Sequence, residues 1–259
     1  MSLDELSNRR GRSVWEEFYA SSALFLSQVC ISDTHNVHGS LPPLPSGDIL
    51  LRVGDLTQSG TPEEVNAVLD WMSVQPHPNK IFIAGNHDRC LQDPLYQSAI
   101  KSNYPNLICL QESSVLLIIN GRNIKVYGSP MTSIYGSWAF QYPRVSASQV
   151  SSSTIWSSVP PDTDILITHG PPAHHPDCTS GCNALLGLLW KLRPKLHVFG
   201  RIHATRGVPT ATWTAGQSAY ETISARRKGW RDLCIVGAQF VRALVWQSTS
   251  PATVLVNAC

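Results

Sequence analysis

Short apolar runs in this chain repeatedly end in aspartate, histidine or asparagine, and that recurrence limits the fold more than any other feature. Residues 25–31, Phe-Leu-Ser-Gln-Val-Cys-Ile, run into Ser32-Asp33-Thr34-His35. Residues 49–53 run into Gly54-Asp55, and residues 80–84 into Gly85-Asn86-His87-Asp88. Later, residues 164–168 lead to His169-Gly170-Pro171-Pro172, and residues 196–199 to Gly200-Arg201-Ile202-His203. Runs of this length and composition read as buried strands. Strands that end in polar residues and alternate with helices predict an α/β sheet with its site at the strand ends.

The connecting segments agree. Thr61-Pro62-Glu63-Glu64 holds a cap, a first-position proline and a capping-box glutamate. Val65, Val68, Leu69 and Met72 follow at helical spacing. Residues 115–120 and 123–127 flank an Asn-Gly turn and predict a hairpin. Residues 146–158 predict a short helix, residues 183–192 a longer one, and residues 253–257 a last strand. Two helices are expected near 215–226 and 232–247. Residues 1–24 read as a loosely docked arm, with a short helix over 14–19. Residues 25–259 read as one domain with a helical insertion at about 206–248.

Composition narrows the function. Hydrophobic residues make up 42% of 259, enough for a substantial core. The net charge of +2 argues against a nucleic-acid polymer as partner. Arg226-Arg227-Lys228 with Arg231 reads as a solvated helix end. Seven scattered cysteines, an odd number, predict reduced thiols and a cytoplasmic location. The N-terminal residues lack the apolar core of a signal peptide. The longest apolar stretch, residues 233–246, contains Gln239 and Arg242 and is too short and polar to cross a bilayer. It predicts a helix buried on one face, and no membrane partner.

Asp33, His35, Asp55, Asn86, His169 and His203 each follow an apolar run. Imidazole with carboxylate suits zinc, iron or manganese, so these residues are candidate metal ligands. His174, His175, Cys178 and Cys182 are also crowded. They read either as a second metal site or as a loop lining the pocket, with His174 or His175 reaching substrate. Trp138 and Tyr135 read as stacking surfaces or as packing beneath a loop, and His38 as a neighbour of the first motif.

Asp33-x-His35, Gly54-Asp55, Gly85-Asn86-His87-Asp88, Thr168-His169-Gly170 and Gly200-x-x-His203 resemble the five motifs of the metallophosphoesterase (calcineurin-like) superfamily, in order from about residue 26 to 204. A closer likeness is to its small metallophosphoesterase-domain members first noted in vertebrate brain, and to their filamentous-fungal relatives. That likeness is carried by Tyr127-Gly128-Ser129-Pro130, Trp138-Ala139-Phe140-Gln141-Tyr142-Pro143, His197-Val198-Phe199-Gly200 and Gly229-Trp230-Arg231-Asp232-Leu233. The resemblance implies an α/β/β/α sandwich, two mixed β-sheets flanked by helices. It implies one divalent metal on Asp33, His35, Asp55 and His203. A second would be on Asp55, Asn86, His169 and position 201. It further implies a metal-activated water attacking phosphorus, with His87 donating to the leaving group and Asp88 orienting its ring.

The sequence departs from that pattern at one ligand. The family motif is Gly-His-x-His, and here Arg201 stands at the first histidine. A guanidinium offers donors only and does not ligate a cation. One metal is therefore expected to be firmly bound and the second weakened or absent. Arg201 either grips an anion beside Asn86 and His87 or swings out to solvent. Arg52 and Ala204 replace residues that are often histidine and acidic in relatives. Three functions stay open. The first is hydrolysis of a small phosphodiester or phosphomonoester, nucleotide-like esters included. The second is non-hydrolytic Lewis-acid or redox chemistry on a biosynthetic metabolite by a one-metal centre. The third is a low-activity protein that binds a nucleotide or anion.

Overall fold

The computed structural model describes residues 26–175, 181–203, 207–225, 230–245 and 251–259. The expected arm over 1–24, the basic cluster at 226–228, Cys178 and Ala204 lie outside them. Two sheets form the centre. In the first, β1 (Gln28–Ile31), β2 (Ile49–Val53), β3 (Asn79–Ile83) and β4 (Ile108–Cys109) pair in chain order, all parallel. The second contains β5 (Ser113–Ile119), β6 (Arg122–Ser129), β9 (Ile165–Thr168), β10 (Leu196–Phe199), β11 (Thr210–Thr212) and β12 (Ala252–Asn257). Its order is β11-β12-β10-β9-β6-β5. It is mixed: β6, β9, β10 and β12 run parallel, with antiparallel β5 and β11 at its edges. The expectation of two mixed sheets thus holds for the second, while the first is wholly parallel. A small pair, β7 (Thr132–Ser133) with β8 (Gln141–Tyr142), sits apart.

Side-chain alternation builds the layers. Successive strand residues face opposite sides. Ile49, Leu51, Val53, Ile81 and Ile83 pack between the sheets against Ile124, Val126, Ile165, Ile167 and Val198. Leu50 and Phe82 face the other way, onto helix α1 (Pro62–Ser73) through Val65, Val68, Leu69 and Met72. Tyr127, Leu166, Phe199 and Leu255 face outward from the second sheet onto helix α3 (Asn183–Leu192) through Ala184, Leu185 and Leu189. The result is the α/β/β/α sandwich, with one apolar layer between the sheets and one beneath each helical face.

The local signals for α1 are all used. Thr61 accepts from the Glu64 amide, and Glu64 reaches back to the Thr61 amide. The hairpin turns on Asn120 and Gly121, both at positive φ. Helix α2 (Pro94–Asn103) was not expected. Its signal was present: Asp93 caps the Leu95 amide, ahead of a first-position proline. Helices α4 (Ala215–Ser224) and α5 (Trp230–Val245) pack on each other, and β11 pairs with β12, so the segment before β12 is not purely helical. Trp230, Leu233 and Val241 of α5 are exposed. Among the described residues no disulfide forms, and no helix is long and apolar enough to cross a membrane.

One core residue makes the fold sensitive to acid. His197, in β10, is fully buried, with Nε2 2.9 Å from Thr168 Oγ1 and no hydrogen bond at Nδ1. Burial, with a smaller contribution from His175, pushes its pKa down to about 3. The unfolded chain therefore takes up this proton first. Stability is lost as pH falls from about 6.5 toward 3, at up to roughly 1.4 kcal/mol per pH unit. Urea denaturation of His197→Gln between pH 7 and 4 should show a correspondingly shallower acid loss than the wild type. Equal slopes would remove His197 as the cause.

Candidate metal centre

The parallel strands of both sheets deliver their C-terminal ends to one edge. There the loops cross-link. Asp33 N donates to Gly54 O at 3.1 Å, His35 N to Asp55 O at 3.2 Å, and Gly200 N to His169 O at 3.1 Å. Asp33, His35, Asp55 and Arg201 all adopt positive φ, of 54°, 42°, 45° and 71°. Left-handed backbone is costly for side-chain-bearing residues, roughly 1–3 kcal/mol each, and such strain gathers at functional sites. The motif glycines follow from the same crowding. A Cβ on Gly54 would collide with the His169 ring, and one on Gly200 with Ser32 and Asp33.

The donor atoms converge. Three sets each lie within 4.8 Å: Asp33, His35 and His203; Asp33, Asp55 and His169; His35, Asp55 and His87. The Asp33 side chain is fully buried. Its Oδ2 accepts from Ser32 Oγ, from Arg201 N at 2.9 Å and from Cys259 Sγ at 3.2 Å. Its Oδ1 makes no hydrogen bond and faces His203 Nε2 at 3.5 Å. Burial alone would raise the Asp33 pKa, but His203, His169 and Ser32 outweigh it and hold the carboxyl well below the usual range. Asp55 is also lowered, with burial outweighed by His169.

The histidine tautomers are set by backbone carbonyls. Nδ1 of His35 lies 3.2 Å from Thr57 O, that of His87 2.8 Å from Gln58 O, and that of His169 2.9 Å from Val53 O. A carbonyl only accepts, so each Nδ1 carries a proton, and whenever a ring holds a single proton its Nε2 is bare. At His169 that Nε2 lies 3.1 Å from Asn86 Oδ1 and 3.3 Å from Asp55 Oδ1. Acceptors so close need a positive charge between them. A proton supplies it at one ring: burial opposes the charge on His169, but Asp55 overcomes it and lifts the pKa to about 9. Protons on every ring would set cations side by side, since the His35 ring lies 4.7 Å from His87 and 5.7 Å from His203. A divalent cation fits this set of carboxylate and bare imidazole donors, with carbonyls orienting the rings from behind.

Arg201 points inward. Its Nη1 donates to Asn86 Oδ1 at 3.3 Å, beside His169 and Asp55, so the expected alternative of a side chain swung out to solvent is not what forms. Burial lowers its pKa against the pull of Asp55, and a guanidinium still stays charged at neutral pH. Arg52 supplies a second buried guanidinium. It is fully buried, donates to Thr34 Oγ1 and lies 5.6 Å over the Trp71 ring. Burial lowers its pKa to about 10, opposed by Asp88 and Asp33.

One expected contact is not formed. Asp88 does not orient the His87 ring. Its buried carboxylate accepts from Gly85 N, Leu56 N, Thr57 N and Thr57 Oγ1, at 2.7, 3.1, 2.9 and 2.7 Å. Those donors lie in the loops themselves, so Asp88 ties the second motif to the third. The His87 ring is held instead by Gln58 O and by Trp138, stacked at 4.2 Å and 28°. Trp138 also carries the Arg89 guanidinium at 5.5 Å, so it packs rather than standing free for a base. His174 does not line the cavity beside the centre, which Tyr135 does. Nor do its neighbours form a second metal site among the described residues. His175 Nε2 pairs with Glu221 Oε1 at 2.8 Å, and Cys182 Sγ caps the Leu185 amide.

Facing sheets with Asp, Asn and His donors gathered at their strand ends define a metallophosphoesterase-type fold. Residues 27–204 match the calcineurin-like phosphoesterase family, and the chain belongs to it. It is 43% identical over 241 residues to the probable rhamnogalacturonate lyase C of Emericella nidulans, covering 89% of this chain and 22% of that one. It is 35% identical over 208 residues to human metallophosphoesterase domain-containing protein 1, covering 70% and 61%. UPF0046 protein C25E10.12 of Caenorhabditis elegans is 32% identical, covering 70% of each. The chain thus spans only part of the fungal and human relatives. The crystal structure of TT1561 of Thermus thermophilus shares the fold, with a TM-score of 0.50, 14% identity and coverage of 71% and 83%.

The Asp88 arrangement makes a prediction. Asp88→Ala leaves buried amides without an acceptor and should cost several kcal/mol, at about 1–3 per group. Asp88→Asn should cost less, since one side-chain oxygen survives. Denaturant titration orders the variants; wild-type stability in Asp88→Ala would refute this role.

Proposed function

We propose that this protein hydrolyses a small phosphoester, diester or monoester, using one firmly held divalent cation and a guanidinium in place of a second. The cation would be manganese, iron or zinc, held by Asp33, His35, Asp55 and His203. When bound there, it lowers the pKa of a water and polarises a phosphoryl oxygen. Arg201, anchored on Asn86 Oδ1, carries the reading. Its charge stands among Asn86, His169 and Asp55, the set that the family motif pairs with a second cation, and its fork suits two phosphate oxygens.

The other residues have definable tasks. Asn86 and His169 hold Arg201 and the neighbouring carboxylate in place. His87 keeps Nδ1–H on Gln58 O and turns Nε2 toward the centre, where the ring, once Nε2 has also taken up a proton, would give that proton to the leaving oxygen. Asp88 maintains the loops. The partner is a small molecule, with neither a nucleic-acid polymer nor a membrane. The lyase name of the fungal relative describes a chain of which this one matches 22%, so it adds no lyase reading to the centre.

Elemental analysis should find one metal per chain in the wild type and two in Arg201→His. Hydrolysis of an aryl phosphodiester is measured alongside. Activity in the wild type with one metal supports the guanidinium as a replacement for a cation. Metal without hydrolysis in the wild type, and strong hydrolysis in Arg201→His, would overturn phosphoester hydrolysis and favour the one-metal non-hydrolytic reading.

A further inference from the structure

A cavity of about 420 Å³ opens against the exposed side of the metal centre. Arg201 and His203 form its boundary with that centre, and Arg144, Thr132, Ser133 and Tyr135 line it further out. No carboxylate is among its described lining residues. Arg144 comes from the loop after β8. Its Nε donates to Ile134 O at 3.3 Å, which fixes the head while leaving the other guanidinium nitrogens available. Two guanidiniums facing one cavity that lacks a counter-charge make a site for an anion.

The geometry points to a second anion subsite, with Arg144 as a specificity-determining residue. The ligand class is a phosphoester whose alcohol portion carries a further carboxylate or phosphate. This rests on the phosphoester reading of the metal centre: the phosphoryl group would sit by Arg201 and Asn86, and the second anion between Arg201 and Arg144. Arg201 borders both regions, so one ligand can span them. Thr132 and Ser133 add hydroxyls to the cavity wall, and the exposed ring of Tyr135 offers apolar surface to the linking atoms.

Three probes test this on the metal-loaded protein: phenyl phosphate, 4-carboxyphenyl phosphate and 1,4-phenylene bisphosphate. The measured quantity is the ratio of dissociation constants by calorimetry, or of kcat/KM where turnover is fast. The wild type should prefer a doubly anionic probe over phenyl phosphate by about tenfold, a typical effect of one charge-assisted pair. Which of the two it prefers tells carboxylate from phosphate. Arg144→Gln should bring the ratio close to one, and Arg144→Lys should restore part of it. Equal affinity for all three in the wild type, or a preference unchanged in Arg144→Gln, overturns the subsite. If the preference holds while none is hydrolysed, the subsite stands and phosphoester hydrolysis falls. If all are hydrolysed without preference, the reverse follows.

Discussion

Buried lone pairs aimed at one region demand positive charge there, and much of this structure answers that demand. Asp33 and Asp55 bring carboxylates, and His35 and His87 turn Nε2 inward because their Nδ1–H groups donate to backbone carbonyls, while His169 meets Asp55 with a proton of its own. In a low-dielectric edge such a set is unstable alone. A divalent cation bound there would answer part of it. Arg52 and Arg201 place permanent charge below and beside it.

The sandwich makes that concentration of charge possible. Parallel strands end together, and two sheets packed face to face bring their ends to one edge. The apolar layer between them, from Leu51 and Val53 to Ile167 and Val198, holds the edge in register. The loops can then accept left-handed backbone at Asp33, His35, Asp55 and Arg201, because strands on both sides fix their ends. Asp88 belongs to this framework: by collecting amides from two loops it holds Asp55 and Asn86 at a fixed separation.

Most of the strands and the main helices were legible because their signals are local. The capping box at Thr61, the Asn-Gly turn at Asn120 and the apolar face of Asn183–Leu192 each involve residues a few positions apart. The candidate ligands were legible for a different reason. Each had to follow a strand directly, so a polar residue after an apolar run marked it. Helix α2 had its cap and proline at Asp93 and Pro94, but its weakly apolar sequence hid it. Short strands such as β4 and β11 depend on partners far along the chain and carry no signal of their own.

The sequence by itself determined the layered fold, the family and the residue types at the centre, because hydrophobic period and motif order are written along the chain. It also determined that Arg201 does not bind a metal, since that follows from the chemistry of a guanidinium. Only the tertiary structure decided where that guanidinium goes. Whether it turns to Asn86 or to solvent depends on burial and on carboxylates from other loops. The role of Asp88 was decided in the same way. Adjacent to His87 in sequence, it turns instead toward amides some thirty residues earlier, because a buried carboxylate takes whatever donors the packed loops present. The meeting of Arg144 with Arg201 in one cavity was likewise invisible in the sequence, where fifty-seven positions separate them.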